Sequence, residues 1–496
     1  MNYIKIKDIS KEHIGKEYFL IAQVKSIRQT SGPTIFDLKD NTGIIKATAF
    51  LRAGERAFPN LIIGNNIQAK IIVKERLNNI ELEILSYEKI NQEVLEKVNL
   101  EKKPFLIQSE KLEKLRPLFI ESVKLIETSI NENRPIIIRH HDDVDGYVSG
   151  FILEKAILPL IKEINPEKSH LFLKRISSRT PFYDYIDALR DLNDYLEAKE
   201  RFDEKPPLII LTDLGSNNQS YPSLKRLTKY DCDFIIIDHH KYDKENKEIA
   251  KIFLNPHVFE FGSDLTAGSL CCELAFFINP ELKQDLKQYN NYKHLPALSS
   301  TADKSEGFEY EEYLKLSGFD KEKLKQWAIA IDYDLYHLKF NESSDLLNDL
   351  FIYNETREKI IQEINYFLNY KESLIKKAIE KHLEITEINN VKILKINRNV
   401  VNYEYIGTKL PRICHDLYSG SRITLVISND SISFRADELN FSLIKLIDYL
   451  KEKMPYALID GGGHDFAGTI KFAEINKENV LKEIQEYLKK DFEKII

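Results

Sequence analysis

Residues 136–150 read Ile-Ile-Ile-Arg-His-His-Asp-Asp-Val-Asp-Gly-Tyr-Val-Ser-Gly, and the fold turns on this stretch. Three isoleucines after Pro135 predict a strand buried on both faces, as in the interior of a parallel sheet. His140, His141, Asp142, Asp143 and Asp145 then crowd into six positions before Gly146 ends the turn. An apolar strand that breaks into carboxylates, imidazoles and a glycine is how an α/β sheet presents ligands at the carboxyl end of a strand. That many like charges repel one another unless a cation neutralises them. Mixed carboxylate and imidazole donors suit Mn²⁺ or Mg²⁺. The plain alternative is a solvated acidic loop with incidental histidines.

The pattern recurs downstream. Residues 207–212, PLIILT, predict a second buried strand with Asp213 at its end and Gly215 just beyond. Residues 233–237 predict a third, followed by Asp238, His239 and His240. Asn255-Pro256-His257 and a loop over 262–268 lead into an apolar helix, and residues 298–303 end on Asp303. Strand-like and helix-like segments alternate from 131 to about 308, the pattern of a parallel sheet. All strand C-termini of such a sheet lie on one edge. Acidic or imidazole groups that follow apolar runs four times therefore converge. Together they can hold two divalent cations, with Asp213 or a similar carboxylate between them. Lys174, Arg175 and Arg179, in the run KRISSRT, are either a path for a nucleic-acid backbone or a solvated loop.

Ahead of this region, residues 1–100 alternate apolar and polar positions in five short runs, at 18–24, 34–38, 44–50, 66–73 and 80–85. Five strands with a helix-like interruption near 51–60 predict a small Greek-key barrel. The run FDLKDNTGIIKATAF resembles the strand–turn–strand of OB-fold domains, which hold single-stranded nucleic acid on aromatic and basic strand faces. Tyr18, Lys25, Arg28, Phe36, Lys46 and Phe50 are the candidates here, with burial in the barrel core as the alternative for any one aromatic.

At 496 residues the chain is too long for one core. Its apolar fraction of 43% without a long biased tract predicts folded domains. A net charge of −7 leaves nucleic-acid contact to local basic patches. The four cysteines form no CxxC pair and read as buried thiols of a reducing cytosol. Nothing in the sequence has the length of a membrane span or the apolar core of a signal peptide, so a cytoplasmic protein without membrane contact is expected.

These residues resemble the DHH phosphoesterase superfamily. Its naming motif stands as Asp238-His239-His240, the first motif as His141-x-Asp143-x-Asp145-Gly146, the second as Asp213 with Gly215, and the fourth as Ala302-Asp303. Near the C-terminus, Gly461-Gly462-Gly463-His464 followed by Ala467-Gly468, together with Ser433-Phe434-Arg435, is similar to the accessory DHHA1 domain. With an OB-like front domain, the closest likeness is to archaeal RecJ-like single-strand exonucleases. That branch is itself similar to a non-catalytic partner of the eukaryotic replicative helicase.

The resemblance implies four regions. They are an OB-fold barrel over 1–100, an α/β DHH domain over 101–308, a helical linker over 309–390 and a smaller α/β DHHA1 domain over 391–496. It implies two Mn²⁺ or Mg²⁺ ions. His141, Asp143 and Asp213 would hold one; Asp145, Asp213, His239 and Asp303 the other. Asp238 would orient a histidine and His240 would face the scissile phosphate. One departure is Arg139, where many family members carry a histidine; the ligand is then His140 or His141. Gly461 to Gly463 would let backbone N–H groups approach phosphate, with His464 and Arg435 adding charge-assisted bonds; a tight turn is the alternative. The implied activity is metal-dependent exonucleolytic cleavage of single-stranded DNA or RNA in replication or repair. Hydrolysis of short oligonucleotides or cyclic dinucleotides is one alternative. A replisome scaffold bound to replicative-helicase or GINS components is another.

Overall fold

The computed structural model describes residues 2–76, 79–90, 100–165, 168–178, 180–283, 292–338, 345–352, 354–388, 391–401, 404–420, 422–437 and 441–493. They form two compact units, one of residues 1–328 with 338–354 and one of 329–337 with 355–496.

The first unit opens with β1 (Glu17–Gln29), β2 (Thr34–Asp40), β3 (Gly43–Ala49), β4 (Asn66–Arg76) and β5 (Asn79–Lys89), closed into a barrel in the order β1-β2-β3-β5-β4. Alternation makes it: along β2, Thr34, Phe36, Leu38 and Asp40 point inward and the residues between them outward. Ala22, Ala47 and Ala69 leave room for Phe36 inside so narrow a barrel. Asp40 closes the β2–β3 turn by accepting from the Thr42 and Gly43 backbone N–H groups. The interruption over 51–60 is not helical. Gly54 sits at φ +78° and a bridge joins Arg52 to Glu55, so the segment is a looped crossover.

The parallel sheet follows, with β6 (Ile136–His140), β7 (Leu173–Ser177), β8 (Leu208–Thr212), β9 (Asp233–Ile237) and β10 (Ile252–Leu254) in the order β10-β9-β8-β6-β7. Every residue of β6 and of β8 is buried, as continuous apolar runs require. The helices are α1 (Glu110–Asn131), α2 (Val144–Ile164), α3 (Ser169–Phe172), α4 (Tyr185–Phe202), α5 (Tyr221–Thr228), α6 (Lys244–Ile249), α7 (Ala267–Ile278), α8 (Leu295–Ala302) and α9 (Phe308–Ser317). α2 and α7 pack together over one face. α4 and α5 cover the other through Ala188, Leu192, Tyr195, Leu224 and Leu227. From β6 the chain steps to β7 on one side and to β8 on the other. The crevice between β6 and β8 is thus the topological switch point, where open α/β sheets bind ligands.

The barrel seats on this region through charge. Lys39 Nζ lies 3.0 Å from Glu163 Oε2 at the end of α2. A bulge in β1 at Lys25 turns that side chain toward Glu127 and Glu163. Burial pushes the Lys25 ammonium below its ordinary pKa, Lys39 adds to this, and the two glutamates oppose it.

Next come α10 (Lys321–Leu338), α11 (Asp345–Leu350) and α12 (Glu355–His382), so the run over 346–381 is two helices. Tyr310 and Tyr313 of α9 are core residues, whereas Phe367 is 42% exposed.

The second unit carries a six-stranded mixed sheet of β11 (Glu384–Ile388), β12 (Val391–Asn397), β13 (Arg422–Ile427), β14 (Ser431–Ala436), β15 (Asp460–His464) and β16 (Ala467–Lys471), ordered β11-β12-β13-β14-β16-β15. α14 (Leu443–Lys453) and α15 (Lys477–Glu493) cover one face, and α12 with α13 (Glu404–Asp416) covers part of the other. All four cysteines are buried free thiols. Among the described residues no helix is long and apolar enough to cross a membrane.

Candidate metal centre

At the end of β6 the chain turns straight into α2. Asp143 caps that helix, accepting from the Gly146 N–H at 2.9 Å. A Cβ on residue 146 would fall 2.3 Å from the His141 carbonyl oxygen, so the turn closes only around glycine. Asp145, in the first turn of α2, is 1% exposed. Asp213 leaves β8 in the left-handed region at φ +59°, a conformation that asparagine and aspartate tolerate best among residues with a Cβ. After β9, His239 Nδ1 lies 3.0 Å from the Ser263 carbonyl oxygen. A carbonyl only accepts, so Nδ1 carries the proton and Nε2 faces the centre. Asp303 is the C-cap of α8; the fourth acidic group thus comes from a helix end rather than a strand end.

The two oxygens of Asp213 look in different directions. Oδ2 lies 3.3 Å from His141 Nδ1, which is 2.8 Å from Asp143 Oδ2. Oδ1 lies 3.4 Å from His239 Nε2, which is 3.2 Å from Asp303 Oδ2 and 3.7 Å from Asp145 Oδ2. Asp238 is committed elsewhere. Its Oδ1 accepts from the His239 and His240 N–H groups and stands 2.8 Å from His240 Nδ1, while Oδ2 accepts from the Ser216 N–H.

The charges fit a divalent cation. Asp213 Oδ1 and His239 Nε2 are buried and have no hydrogen-bond partner among the described residues. Burial, then Asp213 and Asp303, hold the Asp145 carboxyl well above the usual range. Burial raises Asp303 to about 6 against the pull of His239. His141 and His239 rise well above the ordinary imidazole value; burial opposes this, and the surrounding carboxylates outweigh it. Carboxylates that raise one another, beside imidazoles that gain protons, form a cluster short of positive charge. Hard oxygens with imidazole nitrogen are a donor set for divalent metals.

Other sequence expectations need correction. His140 is not a ligand candidate: it is 1% exposed, its ring packs on Tyr147, and its Nδ1 bonds the His141 carbonyl. Burial, with Arg175 adding repulsion, drives its pKa down to about 3. Arg139 turns to the opposite face and pairs with Asp191 and Asp187. On the barrel, Phe36 is core, Tyr18 is half-buried beside His13, and Lys25 faces the glutamates described above. Arg28, Lys46 and Phe50 stay exposed. Arg175 is buried against Glu154 and Asn348 and so lines no open path, whereas Lys174 is exposed in a surface pair with Asp194; Arg179 lies outside the described residues.

In the second unit the three glycines separate. A Cβ at 461 or 463 would fall 2.4 Å from a carbonyl oxygen of β16, while one at 462 meets nothing. Gly461 and Gly463 therefore serve strand pairing, whereas the Cβ side of Gly462 is open space among the described residues. Arg435 is partly exposed on β14. The His464 side chain lies outside the described residues.

Sequence reasoning missed the residues behind the carboxylates. Asp145 accepts from the Ala267 and Gly268 N–H groups at the start of α7 and from the Ser299 hydroxyl. Asn255 bonds the His240 carbonyl and Ser216. The only signal for them was position, in loops that open helices at the same sheet edge.

Comparison with known proteins agrees. The model of the DHH family, N-terminal domain, matches residues 135–299. An uncharacterized protein of Methanocaldococcus jannaschii is 30% identical over 98% of this chain and 71% of its own length. A solved DHH domain, from a member of a ribosomal-protein family, is 32% identical over 78% of this chain and 94% of its own, with a TM-score of 0.72. RecJ from Thermus thermophilus in complex with Mn²⁺ is 16% identical over 78% of this chain and 56% of its own, with a TM-score of 0.49. The matched segment holds the strand ends that bring Asp143, Asp145, Asp213, Asp238 and His239 together, and the likeness to the archaeal relative runs nearly the whole chain: this protein belongs to the DHH family and has its phosphoesterase fold.

Proposed function

We propose that the chain is a divalent-metal-dependent exonuclease acting on phosphodiester bonds of single-stranded nucleic acid. The observation that carries this is Asp213, whose two oxygens face two separate groups of donors. His141, Asp143 and Asp213 would hold one Mn²⁺ or Mg²⁺; Asp145, Asp213, His239 and Asp303 the other. Two cations bound there neutralise phosphodiester charge and lower the pKa of water for in-line displacement.

The chain's own groups do the rest. Asp238, fixed by the Ser216 N–H, holds His240 by Nδ1. Burial works against the charge on His240, but Asp238 outweighs it and raises the pKa to about 9. With Nδ1–H donated to Asp238, the protonated ring would present Nε2–H to a phosphoryl oxygen. The His240 side chain is 43% exposed, as substrate contact requires. Within the second unit, Arg435 and the open space beside Gly462 would serve phosphate binding.

Lys46 and Thr48 on one side of β3, with exposed Phe50 just past its end, support a polymer substrate, since a charged and aromatic strip suits a nucleic-acid backbone and a base. A hydrolase of short oligonucleotides is the second reading. It is favoured by the commitment of Lys25 and Lys39 to Glu127 and Glu163, which leaves the barrel fewer groups for a strand.

End-labelled single-stranded DNA and RNA, with dinucleotides alongside, digested in Mn²⁺ test both. Stepwise shortening of long strands is expected, and Asp213→Asn should lower kcat by several orders of magnitude. Cleavage of dinucleotides alone would select the second reading. Near-normal activity in Asp213→Asn would remove the site assignment.

A further inference from the structure

We infer that Ser299 is a positioning residue that turns Asp145 so that one oxygen, Oδ2, is left for a cation. This rests on the reading of the cluster as a two-cation site. A carboxylate offers about four lone-pair positions. Asp145 Oδ1 spends two of them, one on the Gly268 N–H at 2.8 Å and one on the Ser299 hydroxyl. Oδ2 spends one on the Ala267 N–H at 3.1 Å and faces His239 Nε2 with what remains.

The direction of the proton chain follows. Ser299 has one hydroxyl proton, and Asp145 ionised by a bound cation can only accept it. Thr266 Oγ1, also in contact with Ser299 Oγ, must therefore donate to Ser299. Thr266 Oγ1 in turn accepts from the Ser269 N–H as the N-cap of α7. Thr266, Ser299 and Asp145 thus form a directed relay, and all three are buried.

Gly268 completes the clamp. A Cβ there would fall 2.7 Å from Asp145 Oδ1 and 2.5 Å from Ser299 Oγ. The start of α7, with its two N–H groups and the positive end of its dipole, favours the ionised carboxylate. Ser299 adds a second anchor to Oδ1, which keeps that oxygen off the cation, while Oδ2 carries only the Ala267 N–H. Outer groups that orient a metal-binding side chain are worth about 10–100-fold in metal affinity.

The test is Mn²⁺ titration of the full chain by calorimetry and electron paramagnetic resonance, wild type beside Ser299→Ala. Wild type should take up two ions. In Ser299→Ala the ion held by Asp145, His239 and Asp303 should weaken about 10–100-fold. The ion held by His141 and Asp143 should keep its affinity. Equal binding of both ions in variant and wild type, or equal loss of both, overturns the role of Ser299 and leaves the two-cation reading standing. Failure of the wild type to bind Mn²⁺ removes the two-cation reading itself, and this inference with it. A melt in EDTA shows whether Ser299→Ala is folded. If it is not, Ser299→Cys, close in volume and only a weak donor, is titrated in its place with the same selective loss expected.

Discussion

Replacing Arg139 by methionine should destabilise the first unit by about 3–5 kcal/mol, the range for removing one partner of a buried ion pair. Arg139 Nε lies 3.2 and 3.0 Å from the two oxygens of Asp191, and its terminal nitrogens lie 2.6 Å from Asp191 Oδ1 and 3.5 Å from Asp187 Oδ1. All three side chains are at most 4% exposed. In the variant, Asp191 keeps, among the described residues, the Tyr183 hydroxyl at 2.8 Å. Asp187 Oδ2 lacks a hydrogen-bond partner among the described residues even in the native chain. Two buried carboxylates would then face each other without a cation.

The deficit should depend on pH. The Asp191 carboxyl already stands above its ordinary value, burial being the largest cause and Arg139 opposing it. Losing Arg139 raises it further. A folded-state carboxyl raised above its unfolded value holds a proton that the unfolded chain has released. Stability therefore falls as pH rises from about 4 toward the folded value, and the variant should be weaker at pH 8 than at pH 5. Urea unfolding at both pH values, followed by fluorescence of Trp327, tests this, because the chain's one tryptophan is buried in the same unit. Adding Asp187→Leu and Asp191→Leu should restore much of the loss, since a buried pair replaced whole by apolar groups is often neutral. A deficit below about 1 kcal/mol, or one larger at pH 5, would refute the argument.

Two further outcomes follow from the second unit and the barrel seat. Gly461→Ala and Gly463→Ala should each cost about 1–3 kcal/mol by collision with β16, while Gly462→Ala, which meets open space, should barely move the melting temperature. On the proposed function, Gly462→Ala should still weaken nucleotide binding in equilibrium titration; a Gly462→Ala melt as low as the other two would contradict this division. For the barrel, a double-mutant cycle on Lys39 and Glu163, whose side chains are 29% and 34% exposed, should give a coupling of about 0.2–1 kcal/mol. A coupling indistinguishable from zero would mean that this pair does not help to seat the barrel.

Much of the architecture was legible because the strongest sequence signals are also the strongest physical ones. The inner strands β6, β8 and β9 are the apolar runs read at 136, 207 and 233, and a parallel sheet must deliver their ends to one edge. Period-two alternation marked the barrel strands, since one face of each is wet. The rest was set by partners far away in sequence. Lys25 faces Glu127 and Glu163 because of a bulge that no propensity scale marks. The glycine triplet reads as one motif, yet β16 decides which members need to be glycine. Residues 51–60 carry apolar groups at near-helical spacing, but Gly54 at φ +78° breaks the segment.

His140 and His141 show the limit most clearly. A strand buried on both faces has no polar side, so its own pattern cannot say which parity faces the centre. In β6 that parity is fixed by Arg139, which has to reach Asp187 and Asp191 on α4 because a buried guanidinium needs its carboxylates. Alternation then sends His140 to the other face, under Gly150 and against Tyr147, where a Cβ on residue 150 would fall 2.5 Å from its ring. The chain leaves the strand at His141, free of the pleat, and that ring turns to Asp143 and Asp213. A pair joined across 52 residues thus decides which imidazole enters the cluster. Loss of Arg139 should accordingly weaken Mn²⁺ uptake at the His141 side more than at the His239 side, although Arg139 touches neither.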